Sequence, residues 1–341
     1  MPAMPQACSR FACSLLVVVA LTLPAGCGGD SQADAPPPSP PQQTAEHTIG
    51  VSLGSTGDPW RAQLRAELEA AAAEHPELGI EVLDAGDDPQ GQRAHIEGFI
   101  AKGVDLIVVS PANASAAQAV TSPVAMALDA GIPVVVLDRP VIGDRYTCFI
   151  TADDRQIASA AGRWLAERMS GKGRLVELKG PDDAGPGPAR HRGFRAAVRD
   201  YPDLRVLHEY PTTADPASAE KAMASALSDF GEIDAVFAYT DAAAHAAYLT
   251  AKESGRADEM LWVAVGALPD EGIAYVEQGI LTATFEYPTG AREAIATALD
   301  VLAGKQVPKH VTLTPRVFTQ ANLAQGGEPI TAAASPSATG R

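Results

Sequence analysis

Five short clusters hold the residues of this sequence best suited to chemistry, and each lies at or just beyond the end of a stretch with strand character. The first is Gly54-Ser55-Thr56-Gly57-Asp58-Pro59-Trp60-Arg61. Trp60 offers a flat apolar face, and Asp58 and Arg61 offer an acceptor and donors, which together suit a ring with C–H groups on one face and hydroxyls around its rim. The bland alternative is a buried Trp behind an Asp that caps a helix. The second, Val136-Leu137-Asp138-Arg139-Pro140, joins a carboxylate to a guanidinium that can accept from and donate to neighbouring hydroxyls through charge-assisted bonds, or form a structural ion pair. Arg190 in Pro188-Ala189-Arg190-His191-Arg192-Gly193-Phe194, Thr240 and Asp241 after Tyr239, and Glu286 in Phe285-Glu286-Tyr287-Pro288 complete the set. Singly each has a helix-cap or surface reading; their recurrence at strand ends argues for a common site.

Other chemistries lack their residues. No Gly-Lys-Ser/Thr follows a Gly-rich turn, and there is no His-Glu-x-x-His helix, no Gly-x-Ser-x-Gly elbow and no cysteine pair for zinc. A calcium loop beginning at Asp84 fails because Pro89 stands where glycine is needed and His95 where a bidentate glutamate is needed. The Gly-rich turn Gly180 to Gly187 contains Asp182 and Asp183, which oppose an anion, and His191 reads as structural. Neither metal nor cofactor is called for. Asp58, Asp138 and Glu286 converging on one cleft could do acid/base work on a sugar, so a hydrolase or isomerase stands as a minor alternative to a binding protein.

The elements that must position these clusters alternate. Strands are expected at 49–53, 80–84, 106–110 and 134–138, then at 174–179, 205–209, 235–239, 262–266 and 281–286, with Ala-rich helical patterns between them. Each half repeats the same order, predicting an α/β fold of two doubly wound parallel-sheet domains whose strand ends face one shared cleft. With 341 residues, 46% of them hydrophobic, the chain can bury two such cores. Its formal charge of −16 repels phosphate backbones and anionic lipid heads, which excludes nucleic acid as a partner.

The first 26 residues carry only Arg10 as a charge, with an apolar run from Phe11 to Leu23, and read as an export signal. The run is shorter than the roughly 20 apolar residues a membrane span needs. Residues 27–46 are polar and Pro-rich, a tether. Cys148 is then the one cysteine left in the folded region, without a disulfide partner.

Two resemblances sharpen this. Leu23-Pro24-Ala25-Gly26-Cys27 resembles a bacterial lipobox, although Pro24 stands where Leu is usual; it implies lipidation of Cys27 and an exported protein anchored to a membrane, on its periplasmic or cell-surface side. From Thr48 to Leu323 the chain resembles the type I periplasmic binding proteins of the ribose-binding group, through Asp138-Arg139 after Gly131-Ile132-Pro133-Val134, Arg190-x-Arg192-Gly193-Phe194 and Phe237-Ala238-x-x-Asp241. The resemblance implies ligand contacts from Asp58, Trp60, Arg61, Asp138, Arg139, Arg190, Thr240, Asp241 and Glu286. It implies lobes of 47–151 with 288–312 and 152–287 with 313–323, joined by three crossings; the small, polar residues 324–341 read as a disordered tail. It further implies a monomer that closes on a monosaccharide and delivers it to an ABC importer or reports it to a sensor kinase. Val265-Gly266-Ala267 replaces the Gly-Phe-Asp of ribose binders, so the expected sugar is not ribose.

Overall fold

Runs such as Leu106-Ile107-Val108-Val109 and Val134-Val135-Val136-Leu137, all fully buried, need cover on both faces of a strand, which helices crossing between parallel strands provide. The computed structural model describes residues 45–180 and 185–330. The signal, Cys27, most of the tether, residues 181–184 of the Gly-rich turn and residues 331–341 lie outside the described residues. Strands β1 (His47–Leu53), β2 (Leu78–Asp84), β3 (Leu106–Ser110), β4 (Val134–Leu137), β5 (Cys148–Thr151) and β11 (His310–Thr312) form one sheet in the order β11-β5-β4-β3-β1-β2. All its pairings are parallel. The second sheet runs β13-β12-β10-β9-β8-β6-β7, from β6 (Lys172–Lys179), β7 (Asp203–Pro211), β8 (Ala235–Ala238), β9 (Leu261–Gly266), β10 (Ala283–Glu286), β12 (Arg316–Phe318) and β13 (Glu328–Pro329). Its first five strands pair in parallel and the last two antiparallel.

In both sheets the strand order reverses beside the first strand, at β1/β3 and at β6/β8, where doubly wound sheets open a crevice at their carboxyl ends. The helices are α1 (Pro59–Ala73), α2 (Pro89–Lys102), α3 (Ala114–Asp129), α4 (Asp154–Arg168), α5 (Gly187–Val198), α6 (Pro216–Asp229), α7 (Asp241–Glu253), α8 (Ala274–Glu277) and α9 (Ala291–Leu302). Three of them start on the same device: Asp58, Asp88 and Asp215 each cap a helix whose next residue is proline, so a carboxylate meets the free amides and the proline gives up a donor the first turn never uses.

The chain passes between the sheets after β5, after β10 and after β11, and these passages touch. Gly290, in the left-handed region at φ 74°, would place a Cβ 3.0 Å from Leu313 and 3.3 Å from Ile150. Ile150, Ala152 and Leu313 are buried in one apolar cluster with Leu137 and Phe285.

The terminus departs from expectation. Residues 324–330 do not belong to a disordered tail: a 3-10 turn at Leu323–Gln325 leads into β13, which pairs with β12, and Ile330 is buried. Strands β5, β11, β12 and β13 were also not among those expected. They are two to four residues long, too short for periodicity to register.

Because Gly290 combines a positive φ with close approach, Gly290→Ala is expected to cost about 1–2 kcal/mol of unfolding free energy. Urea titration of the two proteins measures it.

Candidate functional site

Loops leaving β1 and β4 of the first sheet and β6, β8 and β10 of the second bring their side chains to one place. The residue at its centre is Tyr287, just past β10. Its hydroxyl donates to Asp138 Oδ1 at 2.6 Å. Its carbonyl accepts from Trp60 Nε1 at 2.9 Å, and the two rings pack with centroids 5.5 Å apart at 60°. The Arg190 guanidinium stands 5.5 Å from the centre of the Tyr287 ring, within cation–π range.

Arg190 itself is 5% exposed. Its Nε donates to Asp154 Oδ1 at 2.7 Å, and Nη1 donates to the carbonyl of Tyr239. Asp138 sits in the left-handed region at φ 63°, a conformation that Asp tolerates better than most residues. Burial pushes its carboxyl above the ordinary range, Tyr287, Arg139 and Arg61 pull it down, and Asp154 pushes it up again. These groups therefore sense one another electrostatically across both lobes. Glu271, in a π-helical turn at Pro269–Ile273, is likewise raised by burial and then by Asp58 opposite.

Arg139 leaves the first lobe toward the second: a Cβ on Gly185, just before α5, would lie 3.5 Å from Arg139 Nη2. Arg61 pairs with Asp58 and donates to the carbonyl of Ala112 at 2.8 Å. The buried Nε groups of Arg139 and Arg61 have no partner among the described residues.

Residues 49–306 match the family model of the periplasmic binding protein domain. The chain belongs to this family. The ribose import binding protein of Haemophilus influenzae is 26% identical over 283 residues, covering 81% of this chain and 93% of that protein. The fructose-binding periplasmic domain of a hybrid two-component system is 34% identical, covers 82% of this chain and 93% of that one, and superposes with a TM-score of 0.69. The periplasmic binding protein component of the arabinose ABC transporter from Shewanella sp. ANA-3 is 25% identical, covers 82% and 94%, and gives a TM-score of 0.70. These agree with the resemblance to sugar-binding members of the type I fold. No helix among the described residues is long and apolar enough to cross a membrane.

In this periplasmic binding protein the expected site residues divide. Asp58, Trp60, Arg61, Asp138, Arg139 and Arg190 gather around Tyr287. Thr240 is exposed and caps α7, accepting from the amide of Ala243 at 3.2 Å. Asp241 is engaged within its own lobe: Oδ2 accepts from the Ala267 amide and Oδ1 from the Thr284 hydroxyl, both at 2.6 Å. Glu286 points elsewhere, accepting from the Arg316 amide and lying near Glu67 and Glu293. Tyr287, Asp154 and Glu271 were not among the expected site residues. Tyr287 follows Glu286 directly, and alternation along an extended chain sends neighbours to opposite sides.

His191 Nδ1 lies 3.1 Å from Glu177 Oε1, and its Nε2 lies 4.0 Å from Glu209. These three offer ligand atoms within 4.8 Å of one another. Arg195, 3.6 Å from Glu209, opposes a cation there, and an imidazole bridging two carboxylates accounts for the geometry.

Burial raises Asp241 from its ordinary value of 3.8 to about 6, against the pull of Thr284 and the Ala267 amide. Between those values the folded state holds a proton that the unfolded state has released, so stability declines as pH rises through the window. Asp241→Asn keeps an acceptor for Ala267 and a donor for Thr284. Relative to the parent, its unfolding free energy should improve by about 1–3 kcal/mol between pH 4 and pH 7.5, read from urea unfolding at both values.

Proposed function

We propose that this protein is an exported receptor that binds a neutral monosaccharide between its lobes and presents it to an ABC importer, without altering it. The observation that carries this reading is the Trp60–Tyr287 aromatic pair with the Arg190 guanidinium over the Tyr287 ring, and, near Asp138, the buried Nε groups of Arg61 and Arg139, which have no acceptor among the described residues. Aromatic faces receive the C–H side of a sugar ring, and the guanidinium groups donate to its oxygens. Three guanidinium groups, of Arg61, Arg139 and Arg190, stand near four carboxyls, of Asp58, Asp138, Asp154 and Glu271. A near balance of this kind favours a polar ligand of no net charge. Sugar binders for importers among the relatives support the same reading.

Closure brings lobe 47–151 with 288–312 onto lobe 152–287 with 313–323, and the ligand stabilises the closed form. The protein acts as a monomer, held at the membrane through a lipid on Cys27. A second reading, a partner for a membrane sensor kinase, is favoured by the similarity to the fructose-binding domain of a two-component system. Copurification of a permease or of a kinase with the sugar-loaded protein separates the two.

A thermal-shift screen of fructose, L-arabinose, ribose and myo-inositol tests the ligand class. One sugar is expected to raise the melting temperature, since saturation at a hundredfold over Kd adds about 2.7 kcal/mol; no shift with any sugar or polyol would count against the reading. Sugar recovered chemically changed would point to an enzyme instead. Trp60→Ala and Arg139→Ala should each weaken binding of the identified sugar more than tenfold by calorimetry, while the circular dichroism spectrum stays unchanged.

A further inference from the structure

The charge of the chain is unevenly placed. Residues 154–209 carry 11 Lys and Arg against 8 Asp and Glu, whereas the remainder carries 15 against 34. Helix α5 and the residue after it contribute Arg190, Arg192, Arg195 and Arg199 with no acidic residue between Gly187 and Arg199. Arg190 is consumed in the cleft. Arg192, Arg195 and Arg199 are spaced three and four apart, which sets them on one face of the helix.

That face borders a groove of about 580 Å³ between α5 and β7, the edge strand of the second sheet. Arg155, from the first turn of α4, closes its rim, and Val198, Leu204 and Val206 form an apolar floor. Arg155, Arg192 and Arg199 are exposed and have no ion-pair or hydrogen-bond partner for their side chains among the described residues. Asp200 and Asp203 stand close in sequence but do not line the groove. Helices α4 and α5 meet backbone to backbone at the rim, where a Cβ on Gly193 would lie 2.1 Å from the Arg155 carbonyl.

We infer that this groove is a contact surface for the phosphodiester headgroups of an anionic phospholipid membrane. Guanidinium groups match phosphate oxygens in pairs, and an apolar floor inside a cationic rim fits an amphiphile better than a free ion. The acidic remainder does not forbid the contact, because charges more than about 10 Å away are screened at 0.1 M salt. The net charge of −16 thus describes the molecule but not this face. A protein held against the membrane by α5 keeps its cleft beside the surface in a fixed orientation. The inference is independent of which ligand the cleft takes.

The test uses the exported protein bearing Cys27→Ser, so that acylation contributes nothing. Its sedimentation with vesicles of phosphatidylcholine alone is compared with vesicles containing about 30% phosphatidylglycerol. Preference for the anionic vesicles is expected, lost at 0.5 M NaCl. Arg155→Gln/Arg192→Gln/Arg199→Gln should weaken it by about fivefold per residue, roughly a hundredfold together, with its melting temperature unchanged. The control pair Arg65→Gln/Arg93→Gln should bind as the parent does. The inference is overturned by equal binding to both vesicles, by undiminished binding of the triple variant, or by an equal loss in the control. Tight binding of inorganic pyrophosphate without vesicle binding would overturn it also, by assigning the groove to a free anion.

Discussion

Charges taken out of water must be paired, and the meeting of the two lobes is organised by that requirement. Arg190 is nearly fully buried, so it needs Asp154 and the Tyr239 carbonyl. Asp138 needs the Tyr287 hydroxyl. Tyr287 then joins the two halves of the arrangement, with a carboxylate at its hydroxyl, a guanidinium over its ring and an indole at its carbonyl. The sheets, their switch points and the capped helices bring these loops within reach. What makes the loops adhere is the cost of leaving any one of those groups alone.

The same economy explains why the site is not fully spent. Arg61 is held through Asp58 and the Ala112 carbonyl, yet it and Arg139 each keep one buried N–H without an acceptor among the described residues. Asp241 shows the contrary case. Its two oxygens are both occupied by its own lobe, and it holds the loop after β9 in place rather than reaching a ligand. Both are acidic or basic residues after strand ends, and only their hydrogen-bond ledger tells them apart.

Much of this was legible in the sequence wherever the signal is local. Buried parallel strands read as unbroken apolar runs, so the doubly wound halves and the placing of Trp60, Asp138 and Arg190 beyond strand ends could be seen directly. The rest depends on partners far apart in the chain. Tyr287 meets Trp60 across 227 positions and Asp138 across 149, and nothing in the residues around Tyr287 announces either. Glu286, one position earlier, carries the more conspicuous chemistry but faces Arg316 instead. Likewise β11, β12 and β13 are too short for a pattern, and they exist because neighbouring strands offer them an edge.

The path of the chain has a consequence for how the molecule comes into being. The first sheet receives its last strand, β11, only after strands β6 to β10 of the second sheet have been laid down. Just before β11, helix α9 returns to α1, where Thr289 donates to Glu67 and Arg292 pairs with Glu74. Contacts spanning more than two hundred residues close slowly, because the entropy of the intervening loop must be overcome before they contribute. An emerging chain is therefore unable to complete its first lobe until nearly all of it has been synthesised.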